Sequence, residues 1–159
     1  ETIMSTLMGS LNAQEDRRKF FKVQIIYWML CAIDGHAKNF SIFIKPQGRF
    51  TLTPFYDVIS AHPVLGHRKN QLAPEKAKMA MAVIAKNRHY HWDKITKRHW
   101  ESTAQACDFK NEIDSLVEEL VNQTPKVANE ISKRLPKKFP ASVSEPILKG
   151  LESACDKLS

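Results

Sequence analysis

The hydrophobic and polar positions of the chain first define one long apolar segment. Two acidic residues, Glu15-Asp16, precede a stretch from Phe20 to Leu30 that is apolar on nearly all sides. Acidic residues suit the N-terminus of a helix, and a helix that is apolar all round is a buried one. Asp34-Gly35 follows, and glycine is the usual stop signal. The pattern therefore predicts a buried central helix over Glu15–Ile33.

Two short runs of β-forming residues come next, at Phe40–Ile44 and Phe50–Thr53. Lys45–Arg49 between them contains a proline and a glycine, which are typical of tight turns. Pro54 follows the second run and has no amide hydrogen, so strand pairing stops there. The sequence therefore predicts a β-hairpin directly behind the central helix.

The second half of the chain reads as mainly helical. The apolar run Met79–Ala85 fits either a helix or a strand, whereas His91–Asp108 and the apolar positions over Ile113–Val121 favour helices. Thr124-Pro125 is predicted to interrupt the second of these and to open a new helix. Ser142–Glu145 matches a capping box placed before a last helix. The predicted fold class is mainly α with a small β-hairpin, in one domain that spans the chain.

The composition of the chain mainly excludes some classes of protein and site. The chain has 159 residues, 43% hydrophobic and 26% charged, as in ordinary globular domains. Three cysteines without a C-x-x-C spacing predict neither a zinc site nor a disulfide framework, and a reducing cytoplasm is expected. The net charge of +7 is scattered, which favours a solvated surface over a DNA-reading groove. No apolar run approaches the roughly 20 residues of a membrane helix.

The chemically informative segment is the loop that follows the central helix. Asp34 and Asn39 have the spacing D-x-x-x-x-N, and a second acid, Asp57, comes after the hairpin. Protein kinases use groups in this order: an acid for the acceptor hydroxyl, then an amide and an acid for magnesium. Oxygen ligands suit this hard cation. The motif alone is weak, because aspartate and asparagine often cap turns. The helix before it and the hairpin after it favour phosphoryl transfer.

Two longer blocks resemble one kinase family. AIDGHAKNFSIFI, at Ala32–Ile44, and LTPFYDVISA, at Leu52–Ala61, are similar to the C-terminal region of HipA-family serine/threonine kinases. The similarity continues through Pro63–Gly66, Met79–Met81 and Arg98-His99, so it covers nearly the whole chain. It implies a protein-kinase-like C-lobe of the HipA type.

The resemblance implies catalytic roles for three residues of the loop. Asp34 matches the catalytic aspartate of the family. Lys38 and His36 lie in the same loop, where a cation near the γ-phosphate would stabilise the charge of the transition state. The alternatives are that Lys38 is a surface lysine balancing the acids, and that His36 hydrogen-bonds the backbone.

Cofactor binding is implied for three further residues. Asn39 and Asp57 match the magnesium ligands of the family, so the expected cofactors are ATP and Mg²⁺. Tyr56 directly precedes the metal-binding acid and is expected either to line the nucleotide pocket or to pack in the core.

Parts of a kinase are missing before Asp34. The first 33 residues contain no glycine-rich loop and no lysine in a V-A-I-K context. The N-terminal nucleotide-binding part is therefore expected on a preceding segment, and this chain alone is expected to bind ATP poorly. Ala32-Ile33 replaces the usual His-Arg, and Val58-Ile59 replaces Phe-Gly, which argues against an activation-loop switch.

The resemblance also implies a biological setting. It predicts a toxin of a type II toxin–antitoxin system that phosphorylates a protein, with glutamyl-tRNA synthetase as the target. A HipB-type antitoxin is the expected partner, and DNA is contacted only through it. Two other functions stay open: a small-molecule kinase of the aminoglycoside or choline type, and a non-catalytic module that binds DNA or an antitoxin. Cys31 is expected to act as a small hydrophobe.

Overall fold

The chain forms five helices and two small antiparallel sheets in a computed structural model that describes all residues, 1–159. The helices are α1 (Thr2–Thr6), α2 (Ala13–Met29), α3 (Lys97–Ala106), α4 (Lys110–Arg134) and α5 (Ala141–Leu158). The strands are β1 (Ile42–Ile44), β2 (Phe50–Leu52), β3 (Lys78–Ile84) and β4 (Arg88–His91). The predicted mainly α fold is confirmed, and β3–β4 is a second sheet that the sequence did not predict.

Helix α2 lies at the centre of the core, as its all-round apolar pattern predicts. Ile25, Tyr27, Trp28 and Met29 are each no more than 1% exposed. The same buried cluster takes side chains from every other helix and from β3. Burial of a side chain of this size contributes roughly 1.5–3 kcal/mol to the stability of the folded chain. Helix α2 is therefore the rigid element from which the following loop extends.

The end of α2 differs from the prediction. The helix stops at Met29, and Cys31 adopts a left-handed conformation with φ of 50°. The Ala32 amide donates to the Tyr27 carbonyl at 2.7 Å, and the Cys31 amide donates to the Trp28 carbonyl at 3.0 Å. These two bonds form a Schellman motif. Gly35 is thus not the stop residue that the pattern indicated.

The segment Ser60–His62 caps the C-terminal end of α2. Each of its residues donates one hydrogen bond to a carbonyl at that end, and the pairs are Ser60 Oγ to Leu30 at 2.5 Å, Ala61 N to Cys31 at 3.0 Å and His62 Nε2 to Met29 at 3.0 Å. The last carbonyls of a helix have no partner inside the helix, so buried ones need such donors. These bonds hold the segment after Asp57 against the end of the helix that precedes Asp34.

Three segments in the second half of the chain differ from their sequence-based assignments. The segment Met79–Ala85, for which the sequence did not distinguish helix from strand, is mostly strand. It pairs with β4 across a register shift between Lys78 and Val83. His91 therefore belongs to a strand, and the helix predicted from it starts only at Lys97. Ser142–Glu145 lies inside α5, whose N-cap is Pro140.

The predicted break at Thr124-Pro125 is wrong, because α4 runs unbroken through it. Pro125 has no amide hydrogen to donate to the carbonyl of Val121, four residues earlier. The Sγ atom of Cys155, on α5, lies 4.0 Å from that oxygen and donates to it instead. Packing against a neighbouring helix thus supplies the donor that the proline removed.

The predicted hairpin is confirmed, and one buried carboxylate anchors it to α2. Strands β1 and β2 pair antiparallel, with Phe43 opposite Thr51. Asp16 in the first turn of α2 is 2% exposed. Its Oδ2 accepts a 2.8 Å hydrogen bond from the Leu52 amide and another from the Ser10 hydroxyl. Asp16 therefore fixes where the hairpin sits against the central helix.

We expect Asp16→Ala to lower the free energy of unfolding by about 1–3 kcal/mol, because it leaves the partly buried Leu52 amide without its acceptor and the buried Ser10 hydroxyl with only the longer bond to the Phe50 carbonyl. Urea unfolding followed by circular dichroism measures the loss. Glu15→Ala is the matched control, since Glu15 makes only an exposed ion pair with Lys19, and such pairs contribute about 0.5 kcal/mol or less. Equal losses in the two variants would contradict the anchoring role.

Candidate active site

The loop after α2 ends in one 3-10 turn, Ala37–Asn39, that brings two predicted ligands together. Asn39 is 6% exposed. Its Oδ1 accepts a 3.0 Å hydrogen bond from the His36 amide, and its Nδ2 donates to Asp57 Oδ2 at 2.7 Å. The side chain of Asn39 therefore joins its own loop to the acid that follows the hairpin.

Asp57 sits at a special backbone position. Its φ is 59°, in the left-handed region, where a residue other than glycine is held at a cost of about 1–3 kcal/mol. The residue is exposed, and Oδ1 takes no hydrogen bond from the chain. One carboxylate oxygen is thus fixed by Asn39 while the other stays accessible, which suits a hard cation.

Asp34 is anchored by its backbone and free at its side chain. Its carbonyl accepts a 2.8 Å hydrogen bond from the His36 amide. The residue is exposed, and its carboxylate makes no hydrogen bond or ion pair with the chain. An accessible, unpaired carboxylate on an ordered loop has the properties that a general base requires.

His36 and Lys38 complete the loop. The Nδ1 atom of His36 is buried and has no hydrogen-bond partner, so the ring does not bond the backbone through it as the alternative interpretation supposed. Lys38 is exposed and makes no ion pair with Asp34 or Asp57. Its amine therefore remains available to an anion from solution.

The Tyr56 hydroxyl joins the hairpin to the loop. It lies 2.7 Å from Ser41 Oγ and donates to the Lys38 carbonyl at 3.3 Å. The residue is 43% exposed, so it is not a packed core tyrosine. That Tyr56 lines a nucleotide pocket stays a prediction.

Tyr27 of α2 contacts both acidic segments, and sequence reasoning did not single it out. A Cβ atom added at Gly35 would come closer than 3.0 Å to two carbons of the Tyr27 ring. The Tyr27 hydroxyl donates to the Tyr56 carbonyl at 3.4 Å. Burial raises the pKa of Tyr27, and the charge of Asp57 raises it further, so the phenol is a neutral donor near pH 7. In the sequence, a buried helical tyrosine with such contacts cannot be distinguished from a tyrosine that only fills the core.

His62, in the segment that caps α2, is a buried neutral imidazole. Its ring packs edge-on against Trp92 at a centroid distance of 5.4 Å, and Gly150 of α5 fits against it with no room for a Cβ. Burial lowers the pKa of His62 below its ordinary value, although its bond to the Met29 carbonyl acts the other way, and the charge of Lys157 lowers it further. Burial therefore disfavours the protonated form of His62 in the folded chain.

We expect the free energy of unfolding to fall as the pH is lowered from 7 to 5. The unfolded chain takes up a proton on His62 near its ordinary pKa of about 6.5, whereas the folded chain does so only at lower pH. Between those two values acid favours the unfolded state. Urea midpoints measured across this range should decrease less steeply in His62→Gln, with exposed His67→Gln as the control. Parallel pH profiles for His62→Gln and the unmodified chain would refute this cause.

The remaining sulfur and imidazole groups form no second site. All three cysteines are free and buried, and burial raises the pKa of Cys31 to about 12, which makes it a poor nucleophile. The rings of His89 and His99 lie 4.5 Å apart, while His91 bonds the Glu75 carbonyl. No three histidine, cysteine or acidic side chains are grouped to hold a metal ion.

No helix combines the length and the apolar character needed to span a bilayer.

Fold and site together define a mainly helical domain that carries acid and amide groups on loops at one end of its central helix. The model of the HipA-like C-terminal domain matches residues 1–128, and the chain belongs to that family. The resemblance seen in the sequence is thereby confirmed.

One solved structure illustrates the shared fold. The chain is similar to the HipA protein in the complex of HipA, HipB and operator DNA from the Shewanella oneidensis MR-1 toxin–antitoxin system. The TM-score is 0.75 at 18% sequence identity, and the match covers 96% of this chain. It covers 34% of the HipA chain, so the present chain spans about one third of that relative.

Proposed function

We propose that this chain is the catalytic-loop part of a HipA-type serine/threonine kinase that transfers the γ-phosphate of ATP to a protein hydroxyl. The observation that carries the proposal is the 2.7 Å hydrogen bond between Asn39 and Asp57, which are 18 residues apart. Two side chains assigned to one magnesium ion from the sequence meet in the folded chain. Phosphoryl transfer depends chiefly on such positioning and on charge stabilisation.

The donor set fits Mg²⁺. Asp57 keeps Oδ1 free, and Asn39 Oδ1 has a second lone pair beyond the one that accepts from His36. Both are hard oxygen donors of the kind that Mg²⁺ accepts together with phosphate oxygens. The bound ion would neutralise charge on the phosphates. The hydrogen bond between them holds Asn39 and Asp57 side by side.

The loop residues supply the rest of the chemistry. Asp34 orients the acceptor hydroxyl and takes its proton, a task that its unpaired carboxylate allows. Lys38 offers a cation to the charge that develops on the transferred group. His36 holds Asn39 through its backbone amide, and its buried Nδ1, which has no partner in the chain, is the remaining polar atom of the loop. The phosphate-covering loop and its lysine lie on another part of the full-length protein, so this chain alone transfers little phosphate.

The substrate and partners follow the same proposal. The protein acceptor is glutamyl-tRNA synthetase, whose phosphorylation halts translation and favours a dormant, persistent cell. The complex of HipA with HipB and operator DNA in the relative supports a HipB-type antitoxin as partner. The scattered basic charge of this chain supports DNA contact only through that antitoxin. All of these partners are cytoplasmic.

The test uses the full-length protein with labelled ATP and Mg²⁺. Glutamyl-tRNA synthetase, with and without its tRNA, is offered beside choline and aminoglycosides. We expect label on serine or threonine of the synthetase, and its loss when EDTA removes the metal. Label on the small alcohols instead would establish a small-molecule kinase. No transfer to any acceptor, with partner binding indifferent to magnesium, would establish a non-catalytic module.

A further inference from the structure

We propose that Tyr27 is a positioning residue that sets the spacing between the Asp34 loop and the Asp57 segment, an inference that rests on the proposed function. Tyr27 alone, among the residues of α2, contacts the residue after Asp34 with its ring and the residue before Asp57 with its hydroxyl. It is 0% exposed, so no solvent intervenes at either contact. One buried side chain thus relates the two carboxylates to a common support.

The ring contact fixes the loop. The Gly35 backbone lies so close to the Tyr27 ring that even a methyl group does not fit between them. The ring itself has little freedom, since it packs against Phe40 at 6.0 Å and stands on the last turn of a buried helix. The Tyr27 carbonyl also accepts the Ala32 amide of the Schellman motif. The path of the chain into Asp34 is therefore built on this residue.

The hydroxyl contact fixes the other side. The phenol donates to the carbonyl of Tyr56, in the peptide unit that leads directly into Asp57. The left-handed backbone of Asp57 needs support from its surroundings. Without the phenol, the Tyr56 carbonyl has no other side-chain donor. The side-chain bonds that remain nearby are those of the Tyr56 hydroxyl with Ser41 and Lys38 and that of Asn39 with the Asp57 carboxylate. Removal of the hydroxyl should thus loosen the metal-binding carboxylate while the ring keeps the loop in place.

A tyrosine that only fills the core predicts a different result. Phenylalanine preserves the ring and its packing, so Tyr27→Phe would then leave the metal dependence of the reaction unchanged. A positioning hydroxyl predicts a selective effect on magnesium. Loss of one neutral hydrogen bond changes an equilibrium by about 2- to 10-fold. We therefore expect the magnesium concentration for half-maximal transfer to rise about 2- to 10-fold, with kcat at saturating magnesium close to the unmodified value.

The experiment compares Tyr27→Phe and Tyr90→Phe in the full-length protein, because Tyr90 is a partly exposed tyrosine of β4 outside the site. Magnesium titrations of phosphate transfer give the main readout. Mn²⁺ binding, followed by electron paramagnetic resonance without turnover, gives a second one, in which only Tyr27→Phe should weaken affinity. Identical metal dependence in the two variants overturns the proposal.

The proposed function is tested separately in the same series by Asp57→Asn. Loss of transfer and of Mn²⁺ binding in Asp57→Asn, together with a normal Tyr27→Phe, retains the kinase proposal and overturns the role of Tyr27. Unchanged transfer and Mn²⁺ binding in Asp57→Asn removes the proposed function, and the role of Tyr27 with it, because no metal-binding carboxylate would remain to be positioned.

Discussion

Asp34→Asn in the full-length protein is expected to lower the rate of phosphate transfer by about 10²–10⁴-fold. Asparagine has nearly the same shape as aspartate but does not accept a proton at neutral pH. The Asp34 carboxylate makes no bond with the chain, so the folded structure should persist. Initial rates with labelled ATP at saturating Mg²⁺ measure the effect, and thermal unfolding checks that stability is kept.

Asp114→Asn provides the matched control for this change. Asp114 is also an exposed aspartate, it makes no ion pair, and it lies on α4 outside the loop. We expect its transfer rate to equal that of the unmodified protein. Near-normal transfer by Asp34→Asn would remove Asp34 as the catalytic base and with it the central assignment of the loop.

Gly35→Ala is expected to be the most disruptive small substitution near the site. The added methyl group would overlap two carbons of the Tyr27 ring, which is buried and cannot retreat. Overpacking of this kind costs about 1–3 kcal/mol of stability. The same displacement shifts Asp34, so transfer in the full-length protein should fall as well. Urea unfolding gives the first quantity and initial rates give the second.

Two comparisons test whether overlap with the Tyr27 ring causes the stability loss of Gly35→Ala. Gly9→Ala is the control, because a methyl group there meets only ordinary contacts with the Phe50 ring at 3.5 Å. In a Tyr27→Ala background the ring is gone, so Gly35→Ala should cost little further stability. A cost that remains the same in both backgrounds would show that the ring overlap is not its source.

Local patterns predicted the elements whose signals lie close together in sequence. The central helix follows from its all-round apolar run, and the hairpin follows from two β-rich runs around Lys45–Arg49. The end of α2 was misplaced because Cys31, not a glycine, takes the left-handed position. The unbroken course of α4 was missed because the donor that compensates Pro125 comes from another helix. Such compensation depends on tertiary contacts that a local pattern does not contain.

In the site, too, some residues were predictable from the sequence and others depend on tertiary contacts. Asp34, Asn39 and Asp57 were predicted because phosphoryl transfer demands oxygen-bearing groups in a known order. The structure brings Asn39 and Asp57 into contact, while their roles in catalysis stay predictions. Tyr27 was not predicted, since its importance lies in two contacts with segments that follow it by several to many residues. A residue that supports others has no chemical signature of its own.

The contact between Cys155 and the Val121 carbonyl bears on where this domain can be cut. The family match stops at residue 128, well before α5 begins. Yet Leu158 is 0% exposed, and Gly150 fits against His62, which caps the helix leading to Asp34. A polypeptide trimmed to the family boundary would expose the apolar surface that α5 covers and leave the Val121 carbonyl without its sulfur donor. Recombinant work on this domain should therefore retain α5, the C-terminal helix.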